Sequence, residues 1–136
     1  MSGEIGFEVR LSQPYEETLE LTKEASKKEG FGVLTSTDVR ATMKEKLDVE
    51  FRPYSILGAC NPPLTHRALT QDAVAGLLLP CNVTVEAENE DTSIVRIANP
   101  EVVLSVGSLE QNTELANVAQ EARKRLERVA EALLSS

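Results

Sequence analysis

A chain of 136 residues, 41% hydrophobic and 4% aromatic with no tryptophan, predicts a single domain over residues 1–136 with an aliphatic core. Its formal net charge of −8 repels polyanions and so argues against nucleic acid or an anionic membrane as a partner. Because no signal-peptide pattern and no apolar run long enough to span a bilayer is present, we expect a cytoplasmic protein.

The first part of the chain predicts a strand, a long helix, a second strand and a short helix. Alternating apolar residues predict the first strand over residues 5–11. Ser12 is a suitable N-cap for a helix of about 15 residues, and Gly30 is a suitable left-handed residue to end it. A strand then begins at Phe31, and Asp38 can start the short second helix.

The middle of the chain predicts two more apolar strands and a short helix. Residues 54–60 are apolar on both faces, which is typical of a strand inside a sheet. Asn61 can cap a short helix that runs to about Gln71. Residues 77–85 predict the next strand, in which Pro80 indicates a bulge or a sheet edge because proline has no N–H to donate.

The last part predicts a returning strand and a long helix. Residues 92–98 follow a polar turn and predict an antiparallel hairpin. Residues 101–106 fit a short helix or a turn, and apolar residues at helical spacing from Leu115 predict a helix of about five turns. This order predicts an α+β fold: a mainly antiparallel sheet with two long helices packed on one face and two short helices in the connections.

Residues that could carry chemistry are concentrated between residues 54 and 85. Both cysteines and the one histidine of the chain lie there. Cys60 ends an apolar strand just before the predicted start of a helix, where the helix dipole can lower a thiol pKa and favour a reactive or metal-binding thiolate. The alternative is that Cys60 is a small buried apolar side chain. The same two interpretations apply to Cys81.

A metal site is a second hypothesis for this stretch. Cys60, His66 and Cys81 could supply three ligands to a zinc-type ion, with water, Asp72 or another chain as the fourth. The spacing matches no compact zinc pattern, and an isolated histidine is more often a plain surface residue. Pairing of His66 with Cys60 in a hydrolase is disfavoured, because helix geometry points residues after the cap away from the preceding strand. No catalytic residue is therefore predicted.

Each cysteine is followed by an asparagine that can serve two roles. Asn61 and Asn82 could donate to a ligand, or they could simply cap a helix and form a turn. The acidic residues near the predicted hairpin, among them Glu86, Glu88 and Glu90, indicate a solvated turn.

Three segments carry a resemblance to a known family. They are residues 30–34 (GFGVL), 54–62 (YSILGACNP) and 76–83 (GLLLPCNV). Together they resemble the domain of unknown function 302 family over nearly the whole chain. Its signature motifs are matched here by Cys60, Asn61, Pro62, Pro80, Cys81 and Asn82. The resemblance implies one small α+β domain related to the TATA-binding-protein-like topology, dimers among the members, and no settled biochemical activity.

Three functional hypotheses follow. The first is a binding or interaction domain, a homodimer, in which Cys60, Asn61, Cys81 and Asn82 line a small pocket for a small molecule or a metal ion. The second is a thiol-based redox protein that uses Cys60 and Cys81. In the third, both Cys-Asn motifs only shape turns. The residues favour a protein that is not an enzyme.

Overall fold

The computed structural model describes residues 4–136. Residues 1–3, which contribute to the expectation that no signal peptide is present, lie outside the described residues. The strands are β1 (Gly6–Leu11), β2 (Gly32–Asp38), β3 (Tyr54–Cys60), β4 (Cys81–Ala87) and β5 (Ser93–Ala98). The helices are α1 (Tyr15–Lys28), α2 (Val39–Leu47), α3 (Pro62–Gln71), α4 (Pro100–Val103) and α5 (Thr113–Leu134), with 3-10 helices at Ala73–Leu78 and Gly107–Gln111.

The strands form one sheet in the order β1-β5-β4-β3-β2. Within residues 4–136 every pair of neighbouring strands is antiparallel. The predicted α+β fold with a mainly antiparallel sheet is therefore confirmed. β3 lies inside the sheet, as its apolar sequence predicts, although β4 and not β3 is the middle strand.

One face of the sheet carries the hydrophobic core. Strand residues alternate between faces, and most of the residues of β1, β4 and β5 on this side are buried and apolar, for example Val9, Val85 and Val95. Both long helices contribute to the same core: α1 through Ala25, and α5 through residues such as Leu126. α1 and α5 also contact each other. We call this the helix-covered face.

The opposite face, which we call the open face, carries small and polar residues over β1, β5 and β4, with the buried Ile94 as the apolar exception. Glu8, Arg96 and Thr84 occupy adjacent positions across these three strands. Glu8 and Arg96 are exposed, and Asn82 on β4 is exposed as well. The period-two alternation of each strand thus separates an aliphatic face from a polar face.

The helix ends agree with most of the sequence-based expectations. The Asn61 side chain caps α3, the Asp38 side chain caps α2, and Gly30 follows α1 with a positive φ of 84°. Ser12 is not the cap of α1, because this helix begins at Tyr15 after Pro14 and has no side-chain cap. None of the helices within residues 4–136 is long and apolar enough to cross a membrane.

The predicted strand over residues 77–85 is wrong in its first half. Residues 73–78 form a 3-10 helix, and the Asp72 carboxylate caps it by accepting a hydrogen bond from the Val74 N–H. β4 begins only at Cys81, directly after Pro80. Pro80 therefore marks the start of an interior strand instead of a bulge or a sheet edge, a position where its missing N–H is tolerated.

The turn after α1 gives a stability prediction with an internal control. A Cβ atom at Gly30 would lie 2.8 Å from Nδ2 of Asn61, and the positive φ adds backbone strain. We expect Gly30→Ala to lower the free energy of unfolding by about 1–3 kcal/mol in urea denaturation. Gly32→Ala is the control, since a Cβ there meets no atom within 4 Å, and it should change stability by less than about 0.5 kcal/mol. Equal losses in the two variants would contradict this account.

Candidate functional site

In the first Cys-Asn motif, the asparagine has a clear structural role. Asn61 follows β3 directly, and its Oδ1 accepts a hydrogen bond of 3.2 Å from the Leu64 N–H in the first turn of α3. The residue is only 4% exposed, and its amide nitrogen lies against Gly30. Asn61 therefore connects the end of β3, the start of α3 and the turn after α1.

Cys60 lies beside α3 but does not join a metal site with His66. Its sulfur is 3.3 Å from the hydroxyl of Thr65, while His66, one position further along the helix, is exposed. Among residues 4–136, no three His, Cys, Asp or Glu side chains lie close enough together to hold a metal ion. The set of Cys60, His66 and Cys81 therefore does not fit the zinc-type site considered above, because the three side chains do not converge on one point.

The second Cys-Asn motif is divided between the two faces of the sheet. Cys81 is paired with the buried residue Ala59 and packs against the core. Both cysteines are free thiols. Burial, and to a lesser extent the charge of Cys60, raises the pKa of the Cys81 thiol to about 11. Asn82, the next residue, projects from the open face, because successive side chains of a strand point to opposite faces of the sheet.

The cavity that Asn61 and Cys81 share is very small. It lies between α3 and the sheet, has a volume of about 20 Å³, and is lined mainly by apolar side chains. That volume holds about one water molecule. The two motifs therefore meet at a packed junction, which leaves little room for an organic ligand.

A much larger concavity lies on the open face. Its volume is about 760 Å³, within the range of roughly 300–1,000 Å³ that is typical of small-molecule sites. The lining residues that matter for its chemistry are Gly6, Tyr54, Asn82, Thr84, Arg96 and Ala98.

The concavity exists because small residues face each other on neighbouring strands. Gly6 on β1 is paired with Ala98 on β5. A Cβ atom at Gly6 would lie only 2.7 Å from the backbone oxygen of Ile97, so a glycine is required for this close approach of the strands. Asn82 on β4 is paired with a second glycine, Gly58. The floor of the concavity is therefore mostly backbone and short side chains.

A buried carboxylate supports one side of the concavity. Glu86 has a side chain only 7% exposed, and it forms ion pairs with Arg52 (2.5 Å) and with Arg96. Burial alone would raise its pKa, but the hydrogen bonds and charges of Arg96 and Arg52 outweigh burial and lower the pKa of Glu86. The expectation that Glu86 belongs to a solvated turn is wrong, because the two arginines cover it.

Arg96 is held from two sides. Besides its contact with Glu86, its Nε donates a hydrogen bond of 2.9 Å to the carboxylate of Glu8. These hydrogen bonds, above all the one to Glu86, raise the pKa of Arg96. The guanidinium therefore stays charged and has a defined orientation at the concavity.

Arg52 is also held, in this case by aromatic rings. Its guanidinium carbon lies 4.6 Å from the centre of the Phe51 ring and 5.8 Å from that of Tyr54. Such contacts are favourable because the faces of aromatic rings carry partial negative charge. Tyr54, which lines the concavity, is thus linked through Arg52 to Glu86.

The polar group of Thr84 is unusual. Its hydroxyl oxygen is buried and has no hydrogen-bond partner within residues 4–136. Thr84 lies directly between Arg96 and Ile56 in the strand register. A buried hydroxyl without a partner is unfavourable, so this position is a candidate for contact with a ligand.

The sequence does not reveal this site, because its residues occupy strand positions with the polar pattern of an ordinary solvated face. One signal was present: in a hairpin that pairs Glu86 with Ile94, Arg96 is the diagonal neighbour of Glu86, and long side chains reach across such diagonals. Arg52 and Tyr54 join them only through the pairing of β3 with β4, which the sequence does not specify.

Comparisons with known proteins agree on one relationship. The model of the family described as "Domain of unknown function DUF302" matches residues 7–133. The chain is 30% identical to the protein in the crystal structure of the uncharacterized conserved protein DUF302 from Bacillus stearothermophilus, with a TM-score of 0.83. That match covers 95% of this chain and 98% of the other. No curated protein matches the chain.

The raised pKa of Cys81 gives a kinetic prediction. In a Cys60→Ser variant at pH 8, we expect Cys81 to react with a disulfide reagent at least roughly 100-fold more slowly in the native protein than in urea, because the thiolate is the nucleophile. The native rate should rise about tenfold per pH unit to well beyond the ordinary thiol pKa of about 8.5, because burial, the main cause of the raised pKa of Cys81, remains in this variant although the charge of Cys60 is removed. A native rate that levels off near pH 8 would contradict burial of this thiol.

The lowered pKa of Glu86 gives a pH prediction. A carboxylate whose pKa is lower in the folded state stabilises the protein fully above the unfolded value of about 4.3. That stabilisation is lost as the pH falls through the lower folded value. We therefore expect Glu86→Gln to be less stable than wild type at pH 7 in urea denaturation, with the difference shrinking at acid pH.

Glu88→Gln is the control for this measurement, since Glu88 forms a more exposed ion pair with Arg10. Exposed pairs contribute little to stability, so this variant should remain close to wild type at every pH. If the two variants lost equal stability at pH 7, the buried pairing of Glu86 would not be the source of the effect.

Proposed function

The chain belongs to the DUF302 family, and we propose that it is a binding domain for small organic molecules whose site is the concavity of the open face. The family membership confirms the resemblance carried by the Cys-Asn motifs. The observation that carries the proposal is a volume of about 760 Å³ beside a fixed guanidinium and a buried hydroxyl without a partner. Small-molecule sites are usually built this way, with a few oriented polar groups in a largely preformed cleft.

Asn82 links this proposal to the Cys-Asn motifs. Of the residues predicted to bind a ligand, Asn82 lines the concavity, and its exposed amide can both donate and accept hydrogen bonds. The geometry supports a structural role for the other three, because Asn61 is a buried cap, Cys81 packs against the core, and Cys60 contacts Thr65.

A thiol-based redox role has less support. Both cysteines are free, and the raised pKa of Cys81 keeps it as a thiol at neutral pH, which disfavours attack on a disulfide. The binding proposal needs no redox change and uses a site with room for a ligand.

Ligand screening tests the proposal. We expect amide resonances of β1, β4 and β5 on the open face to shift when small organic fragments are added to labelled protein. Ala98→Leu should abolish these shifts, since the larger side chain would fill the floor of the concavity. Ala41→Leu, on the exposed surface of α2, is the matched control and should bind as wild type does. Hits confined to other surfaces, or unchanged binding in Ala98→Leu, would contradict the proposal.

We also propose that the protein is a cytoplasmic homodimer. Apolar side chains on α3 and the following 3-10 helix support the dimer, since Leu69, Val74 and Leu77 are 41%, 53% and 84% exposed. Exposed apolar side chains gain from being covered by a second copy. Light scattering at micromolar concentration should give twice the chain mass, and Leu77→Asp should reduce it. A monomer mass for the wild-type protein would refute the dimer without affecting the open-face site.

A further inference from the structure

We infer that the open-face concavity takes an uncharged molecule with a carbonyl or amide group and a short apolar body. This inference rests on the proposed binding function and specifies the chemical class of the ligand. The hydrogen-bonding capacity, the charge balance and the apolar wall of the concavity all favour such a ligand.

Arg96 supplies a donor that the protein does not use. Its Nε is bonded to Glu8 and its Nη1 to Glu86, whereas Nη2 has no partner among residues 4–136. A guanidinium carries only donors, so the ligand group facing it must be an acceptor. The two carboxylates already fix the orientation of this donor.

Thr84 supplies the second polar contact. Its buried hydroxyl can donate or accept, and it lies next to Arg96 in the strand register. Because the hydroxyl oxygen is buried in the free protein, contact with a ligand requires a rotation about the Cα–Cβ bond of Thr84 that turns the hydroxyl toward the concavity. A carbonyl oxygen then accepts from Arg96 while an amide N–H donates to Thr84. One ligand group with an acceptor and a donor therefore matches both protein groups, and pairing the hydroxyl removes an unfavourable feature of the free protein.

The charges of the site disfavour an ionised ligand. An anion would compete with Glu8 and Glu86 for Arg96 and would meet Glu4 at the rim as well as the net charge of −8. A cation would face the charged guanidinium and could not accept its hydrogen bond. An uncharged acceptor has neither disadvantage.

The rest of the concavity is suited to a short hydrocarbon chain. Ile5, which is 76% exposed, lies on the β1 side together with Gly6, and Ala98 and Val103 complete an apolar wall. Covering these side chains would release water from apolar surface. The site is thus polar near Arg96 and Thr84 and apolar toward β1.

Three probes of equal chain length test the ligand class: hexanamide, hexanoate and hexylammonium. Titration into labelled full-length protein at neutral pH should shift open-face resonances with hexanamide, with a dissociation constant on the order of 1 mM, as expected for so small a ligand. The two charged probes should bind at least about fivefold more weakly.

Variants at Thr84 test the contact itself. Thr84→Val keeps the shape but removes the hydroxyl, so hexanamide should bind about 3- to 10-fold more weakly, while stability in urea should stay equal or rise. Thr84→Ser keeps the hydroxyl and should bind within about twofold of wild type. A purely structural role of Thr84 would change stability without this pattern in affinity.

The outcomes separate the inference from the proposed function. Tighter binding of hexanoate or hexylammonium on the open face would overturn the ligand class and leave the binding function intact. Unchanged hexanamide affinity in Thr84→Val would also overturn the inference. If no probe binds and the open-face amides are protected in a dimer, a second copy covers the face and both proposals are wrong.

Discussion

The sheet buries aliphatic side chains against helices on one face, and the residues on its other face must be stabilised without a second layer of core. Over β1, β5 and β4 this is done by ion pairs across the strands. Arg96 pairs with Glu8 on one side and with Glu86 on the other, and Arg52, in the segment just before β3, covers Glu86. Because Glu86 is buried, its pairing matters more than that of an exposed carboxylate. These ion pairs connect strands that are far apart in sequence.

The alternation of a strand also explains the second Cys-Asn motif. Adjacent residues of β4 must point to opposite faces, so a single dipeptide places Cys81 in the core and Asn82 on the open face. The first motif lies at the end of β3, where the chain turns into α3, and there the asparagine becomes a buried cap. The two Cys-Asn pairs therefore have different physical roles, which are set by the position of each pair relative to its strand.

The sequence predicts those parts of the structure that depend on local chemistry. The bounds of β3, the Asn61 cap of α3 and the left-handed Gly30 all follow from residues within a few positions of each other. The strand predicted over residues 77–85 was wrong where Asp72 caps a 3-10 helix that competes with the apolar pattern. The open-face site is not apparent from the sequence, because Glu86 meets Arg52 only after β3 and β4 pair. These two strands are separated by α3 and a 3-10 helix, so no short hairpin turn fixes their pairing.

The same ion pairs that stabilise the open face also prepare it to bind. A free arginine side chain loses rotamer freedom when it contacts a ligand, and that loss weakens binding. Arg96 has already lost it, since Glu8 and Glu86 hold the guanidinium in the free protein. Thr84 contributes in a different way. Its buried hydroxyl lacks a hydrogen bond in the free protein, which is unfavourable, and a ligand can supply that hydrogen bond. A rigid donor next to an unpaired hydroxyl is hard to explain by stability alone, and this combination is the strongest reason to regard the open face as a binding surface.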